Sequence, residues 1–178
     1  IAPPRLARGL ALAAIPIAAL VSYGFILDLD FVGDDTLTMI LTSRVEGIHD
    51  LTTLFTTRLM AGRFSAEFYR PFSSFSLAWD WALWGLDPFG YHLTDMLLLG
   101  GTAVALYWVG RRLFSSRWLP IVAVLSFVLH PVHMGALPVI ARRPDYLSLM
   151  FTLLAVWALP VAGKTPRAFS AWLCAVLV

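Results

Sequence analysis

Charge is what this sequence has least of. Charged residues make up 13 % of its 178 positions against 59 % apolar, and mean hydropathy is +0.77. Soluble domains carry about 25 % charged and about 45–50 % apolar residues. The composition therefore excludes an ordinary water-soluble domain and points to an integral membrane protein. Cysteine is nearly absent too: Cys174 alone, inside the last apolar run, excludes a disulfide framework. There is no glycine-rich phosphate loop, no nucleophile-elbow sequence, no internal repeat and no low-complexity stretch. Nothing in the chain suggests nucleic acid. The length suits one modest domain. A start at Ile1 and an end inside the apolar run Phe169–Val178 lead us to expect a piece of a longer protein.

A membrane-crossing helix needs about 20 mostly apolar residues, with a range of about 17–25, and four stretches qualify. They are 9–27, 93–109, 118–136 and 146–162, with 169–178 as the start of a fifth. Pro16 is a tolerable kink in the first, and His130-Pro131 breaks the last turn of the third. The first run exceeds the usual apolar core of a signal peptide, and no small-x-small site precedes Asp28, so it reads as a retained anchor. The expected fold is all-α: a polytopic transmembrane bundle with four complete helices, the start of a fifth, and a long outer loop carrying juxtamembrane helices.

The few charges divide by side. Arg5, Arg8, Arg111, Arg112, Arg117, Lys164 and Arg167 flank these runs on one side with no acid among them. The other side holds all 11 acids, all four histidines and the remaining arginines. Short loops rich in Lys and Arg stay in the cytoplasm. The N-terminus is thus expected inside, with the segments 28–92 and 130–145 on the non-cytoplasmic face.

The outer segment 28–92 is too long for a simple connector. It opens with Asp28, Asp30, Asp34 and Asp35, directly after an uncharged run. Farther on, Phe68, Phe72, Phe75 and Trp79 recur at spacings of three and four, which predicts one aromatic helical face suited to a membrane interface or to packing on the bundle. Three clusters on this side could carry chemistry: Asp34-Asp35; Tyr69-Arg70-Pro71 with Tyr91-His92; and His130-Pro131-Val132-His133 with Arg142-Arg143-Pro144-Asp145. Ionisable groups at a membrane boundary are costly and suggest function. Carboxylates offer a base or a cation ligand, and arginine's planar fork suits phosphate oxygens. His130 and His133 have metal-ligand spacing, but the proline between them, the lack of a neighbouring Glu and one remote Cys argue against zinc.

The order of these clusters resembles the membrane-embedded glycosyltransferases of the GT-C superfamily that use polyprenyl-phosphate sugars. The likeness is to the protein O-mannosyltransferase branch with transmembrane helices and tetratricopeptide repeats. It is carried by Phe31-Val32-Gly33-Asp34-Asp35 and by Tyr69-Arg70-Pro71-Phe72 with Leu83-Trp84-Gly85-Leu86-Asp87-Pro88-Phe89-Gly90-Tyr91-His92-Leu93-Thr94. A third stretch is Leu129-His130-Pro131-Val132-His133, running on to Arg143-Pro144-Asp145-Tyr146-Leu147-Ser148.

The resemblance implies transfer of a sugar, mannose or a similar hexose, from a lipid-phosphate donor to a protein or glycan hydroxyl on the outer face. Asp34 or Asp35 would act as general base or hold a divalent cation, magnesium or manganese; the residues alone require no cofactor. Arg70, His92, His130, His133, Arg142, Arg143 and Asp145 would form the substrate-binding set, with Arg143 and Asp145 first among them. The sequence departs from the pattern in two places. Gly135 stands where the family often has Glu, and Arg142 where glycine usually precedes the arginine. A non-catalytic membrane subunit that keeps the fold is the alternative. A transporter or channel is third, since it predicts ionisable groups in mid-bilayer and only Asp95 comes near that position.

Overall fold

The structure is a computed structural model that describes residues 14–15, 17–33, 36–43, 48–56, 69–116 and 118–162. The Asp34-Asp35 pair and the expected start of a fifth span at 169–178 lie outside the described residues. Every element among the described residues is helical. In chain order they are α1 (Ile17–Asp28), whose last turn Gly24–Asp28 tightens to a 3-10 helix, α2 (Thr36–Ser43), α3 (Ile48–Thr56), α4 (Pro71–Trp84), α5 (Pro88–Leu113), α6 (Leu119–Val128), α7 (Val132–Ala136) and α8 (Arg143–Ala162). A single 3-10 turn, Ile140–Arg142, leads into α8.

Two of the expected spans lie inside longer helices: 93–109 within α5 and 146–162 within α8. The stretch 118–136 is divided. The helix α6 ends at Val128, and α7 starts afresh at Val132. Pro131 has no N–H to continue the ladder and its ring would clash with the preceding turn; the N–H of His130 instead bonds the carbonyl of Phe127 at 3.2 Å. Among the described residues, α5 is the one helix both long and apolar enough to cross a membrane.

The chain forms two compact units. The first comprises Ile1–Ser22, Leu97–Pro131 and Ser148–Val178, the second Tyr23–Met96 and Val132–Leu147. Every acid among the described residues belongs to the second unit and none to the first. The second unit also takes in nearly all of both segments that the charge pattern assigns to the outer face.

Within the first unit, small residues let helices approach closely. A methyl group on Gly110 of α5 would sit 3.0 Å from Pro120 of α6, and one on Gly101 would sit 3.6 Å from the Met150 sulfur of α8. Arg112 lies over the Trp157 ring, 4.6 Å from its centroid, and donates to the Trp157 carbonyl.

Within the second unit, α2 and α3 both pack on α4, and α2 meets the 3-10 turn. The core is Met39, Ile40, Leu77, Tyr91 and Ile140, with Phe31, Trp81, Trp84 and Ala141 packed around it. Phe55 of α3 meets Phe72 and Phe75 of α4, each at 6.1 Å between ring centroids.

Candidate functional site

The local sequence from Trp84 to Tyr91 builds a rigid corner between α4 and α5. Gly85 takes φ +60°, ψ −116°, values that suit the first central residue of a type II′ turn and that only glycine adopts without strain. Its N–H caps α4 through the Trp81 carbonyl at 2.9 Å. Asp87 then caps α5, its Oδ1 accepting the Phe89 N–H at 3.1 Å, and Pro88 occupies the first helical position, where its missing N–H costs nothing. Gly90 lies beneath the Trp84 indole, so close that a Cβ would fall 2.0 Å from Trp84 Cγ. The Tyr91 hydroxyl closes the corner by donating to the Gly85 carbonyl at 2.8 Å.

This corner joins α4 to α5, and an acid from each helix meets one arginine. Arg143, the first residue of α8, is fully buried. Its Nε donates to Asp95 Oδ1 at 2.5 Å, and one terminal nitrogen donates to Asp80 Oδ2 at 2.6 Å. The same nitrogen reaches Ser76 Oγ at 3.4 Å, while the other donates to the Tyr91 carbonyl at 3.1 Å. The guanidinium carbon is 6.0 Å from the Tyr91 ring centroid. Thr94 donates to the second Asp80 oxygen at 2.7 Å. Both carboxylates are themselves buried. Burial pushes the Asp80 carboxyl above the ordinary carboxylate range; the charge of Arg143 and the hydrogen bonds from Thr94 and Arg143 pull it down without cancelling that push. Two carboxylates share one guanidinium, so full ionisation leaves the cluster with one net negative charge.

The other expected residues occupy different surroundings. Arg142 and Asp145 form a solvent-exposed ion pair at 3.6 Å. Arg70 immediately precedes α4 and is half-buried. His133, in α7, is buried, with Nδ1 3.1 Å from the Tyr146 hydroxyl and the Tyr23 ring edge-on at 6.1 Å between centroids. His92 is wholly buried beside the backbone of Leu29 and Asp30, and neither ring nitrogen has hydrogen-bonding geometry to a described group. His130 is exposed and belongs to the first unit. No group of three or more His, Cys, Asp or Glu suited to a metal ion occurs among the described residues, which do not include Asp34 and Asp35.

Sequence reading missed Asp80. Its signal was present, since Asp80 is the single charged residue of α4 and stands between Trp79 and Trp81. Only the fold reveals its partner, 63 positions away.

Comparison with known proteins adds a family likeness. No family model matches the chain, and no solved structure does. It is 31 % identical to protein O-mannosyl-transferase TMTC1 of Homo sapiens over 164 residues, 85 % of this chain and 19 % of that protein. It is 29 % identical to protein O-mannosyl-transferase Tmtc1 of Drosophila melanogaster over 148 residues, 81 % of this chain and 17 % of that protein. Protein O-mannosyl-transferase tmtc2 of Xenopus laevis is 34 % identical over 92 residues, 52 % of this chain and 11 % of the relative. The chain is thus similar, over most of its own length, to proteins named as O-mannosyl-transferases, and it spans about a fifth or less of theirs.

Proposed function

We propose that this chain is part of a multi-pass membrane glycosyltransferase of the GT-C type. It would move a hexose, mannose by analogy with the relatives' names, from a polyprenyl-phosphate donor to a protein or glycan hydroxyl on the non-cytoplasmic face. The observation that carries this reading is the similarity to a protein O-mannosyl-transferase over 85 % of the chain. Two further observations support it. Every described acid, and nearly all described residues of both outer segments, fall in one compact unit. The first unit exposes large apolar side chains, among them Leu20, Val21, Leu97, Val122 and Leu154, a surface that suits lipid better than water.

In this reading Asp34 or Asp35 accepts the proton of the acceptor hydroxyl as its oxygen attacks the anomeric carbon. The bond from that carbon to the lipid phosphate breaks, and the phosphate leaves with the electron pair, inverting the configuration. A hydroxyl is a weak nucleophile and gains from a carboxylate within hydrogen-bond reach. The departing phosphate needs positive charge or hydrogen-bond donors, which the half-buried Arg70 and the exposed Arg142 would supply, with Asp145 steering Arg142. A divalent cation would sit at Asp34 and Asp35 if one takes part.

The test is transfer of labelled mannose from a polyprenyl-phosphate donor by the intact protein in liposomes. Replacing a general base lowers rate by about 10²–10⁴-fold, so Asp34→Asn or Asp35→Asn should reduce turnover on that scale. Transfer undiminished in both variants would remove the pair from catalysis. The second reading, a non-catalytic subunit, is favoured by Gly135. A Cβ there would meet nothing within 4 Å, so packing does not demand glycine where the resemblance leads one to expect Glu. Wild-type protein that binds donor but transfers nothing would select it.

A further inference from the structure

We propose that Arg143 is a positioning residue, held by Asp80 and Asp95, and that it does not meet the donor's phosphate. The inference rests on the transferase reading and reassigns the arginine that the family resemblance places first in the substrate-binding set. Arginine has five N–H donors, and four of those of Arg143 have acceptors within the protein: Asp95, Asp80, Ser76 and the Tyr91 carbonyl. A phosphate would have to displace these bonds, enter a site with no solvent exposure, and approach two carboxylates that already outnumber the cation. Like charge at that range disfavours it.

The geometry also says what the clamp holds. Ile140 at one end of the 3-10 turn is buried in the core of the second unit, and Arg143 at the other end is locked between α4 and α5. The Arg143 N–H bonds back to the Ile140 carbonyl, closing the turn on itself. Arg142, between these two anchors, keeps a side chain 65 % exposed. The buried arginine thereby fixes the backbone from which the exposed one projects.

Charge balance supplies the test. Arg143→Met leaves two buried carboxylates without their cation and should abolish a monodisperse, folded protein in detergent. A triple variant, Arg143→Met with Asp80→Asn and Asp95→Asn, removes the charge altogether, and uncharged replacements of buried ion clusters are often tolerated. It should recover the folded peak and bind the polyprenyl-phosphate mannose donor with a Kd within about threefold of wild type, whatever happens to kcat. A triple variant that folds but has lost donor affinity would overturn the proposal, because Arg143 would then be a phosphate contact. So would normal folding of Arg143→Met alone, or a triple variant that stays unfolded. The fold rescue is read without donor. It therefore stands or falls even if the intact protein transfers no sugar, an outcome that would remove the proposed function instead.

Discussion

Gly90 has no room for a methyl group, and the obstacle is a rigid ring. A Cβ there would lie 2.0–2.4 Å from three atoms of the Trp84 indole, and the indole also packs edge-on against Phe89 at 6.1 Å. Forcing extra atoms into a packed site costs about 1–3 kcal/mol, and a stiff neighbour places Gly90→Ala at or beyond the upper end. The thermal midpoint of the purified protein reports it. Trp84→Ala should relieve the clash, so the double variant should lose clearly less than the two single losses combined, as expected for groups in direct contact. Gly85→Ala acts differently, since its side chain would meet nothing within 4 Å. The cost there is backbone strain at positive φ, about 1–3 kcal/mol, and no change at Trp84 should rescue it. At Asp87, loss of the helix cap in Asp87→Ala should cost about 1 kcal/mol.

At the scale of elements, α4 shows how far spacing carries and where it stops. The three-and-four recurrence predicts an aromatic face, and Phe72, Phe75 and Trp79 do stand exposed along α4, with Leu83 continuing the stripe. Phe68 lies outside the described residues. The opposite face buries Ser73, Ser74, Leu77, Ala78 and Asp80. Leu77→Ala should therefore cost about 2–5 kcal/mol as a core truncation, whereas Trp79→Gln should change the midpoint of detergent-solubilised protein by no more than about 0.5 kcal/mol. A large loss at Trp79 would mean that the exposed stripe is covered in solution. Periodicity and length made α5 and α8 legible, and Pro131 marked the break after α6. The pairing of Asp80 with Arg143 was not legible, because hydrophobic period says which face an acid shares but not which distant helix will meet it. Arg143 stood out in the sequence through the family resemblance, and its partners Asp80 and Asp95 became visible only in the fold.

On the scale of the whole molecule, the strongest regularity is the confinement of every described acid to one of the two units. Packing does not require this, since α5 and α8 each contribute residues to both units. A membrane would require it, because loops retained in the cytoplasm are enriched in Lys and Arg. Arg111 and Arg112 in the last turn of α5 and Arg117 in the connection to α6 have no acid among them, while Asp145 in the first turn of α8 accompanies Arg142 and Arg143. Single cysteines in a Cys174→Ser background convert this into a measurement. Ser115→Cys lies exposed between α5 and α6, and Met134→Cys is exposed on α7. In sealed, right-side-out vesicles a membrane-impermeant maleimide should label Met134→Cys at once and Ser115→Cys only after permeabilisation. Labelling of both from outside would place the basic connection on the same face as the acids and would leave the segregation of charge without a membrane to explain it. The reverse order would keep the bilayer and invert the chain, moving Asp34 and Asp35 to the cytoplasmic side, where the acceptor hydroxyls proposed here are not found.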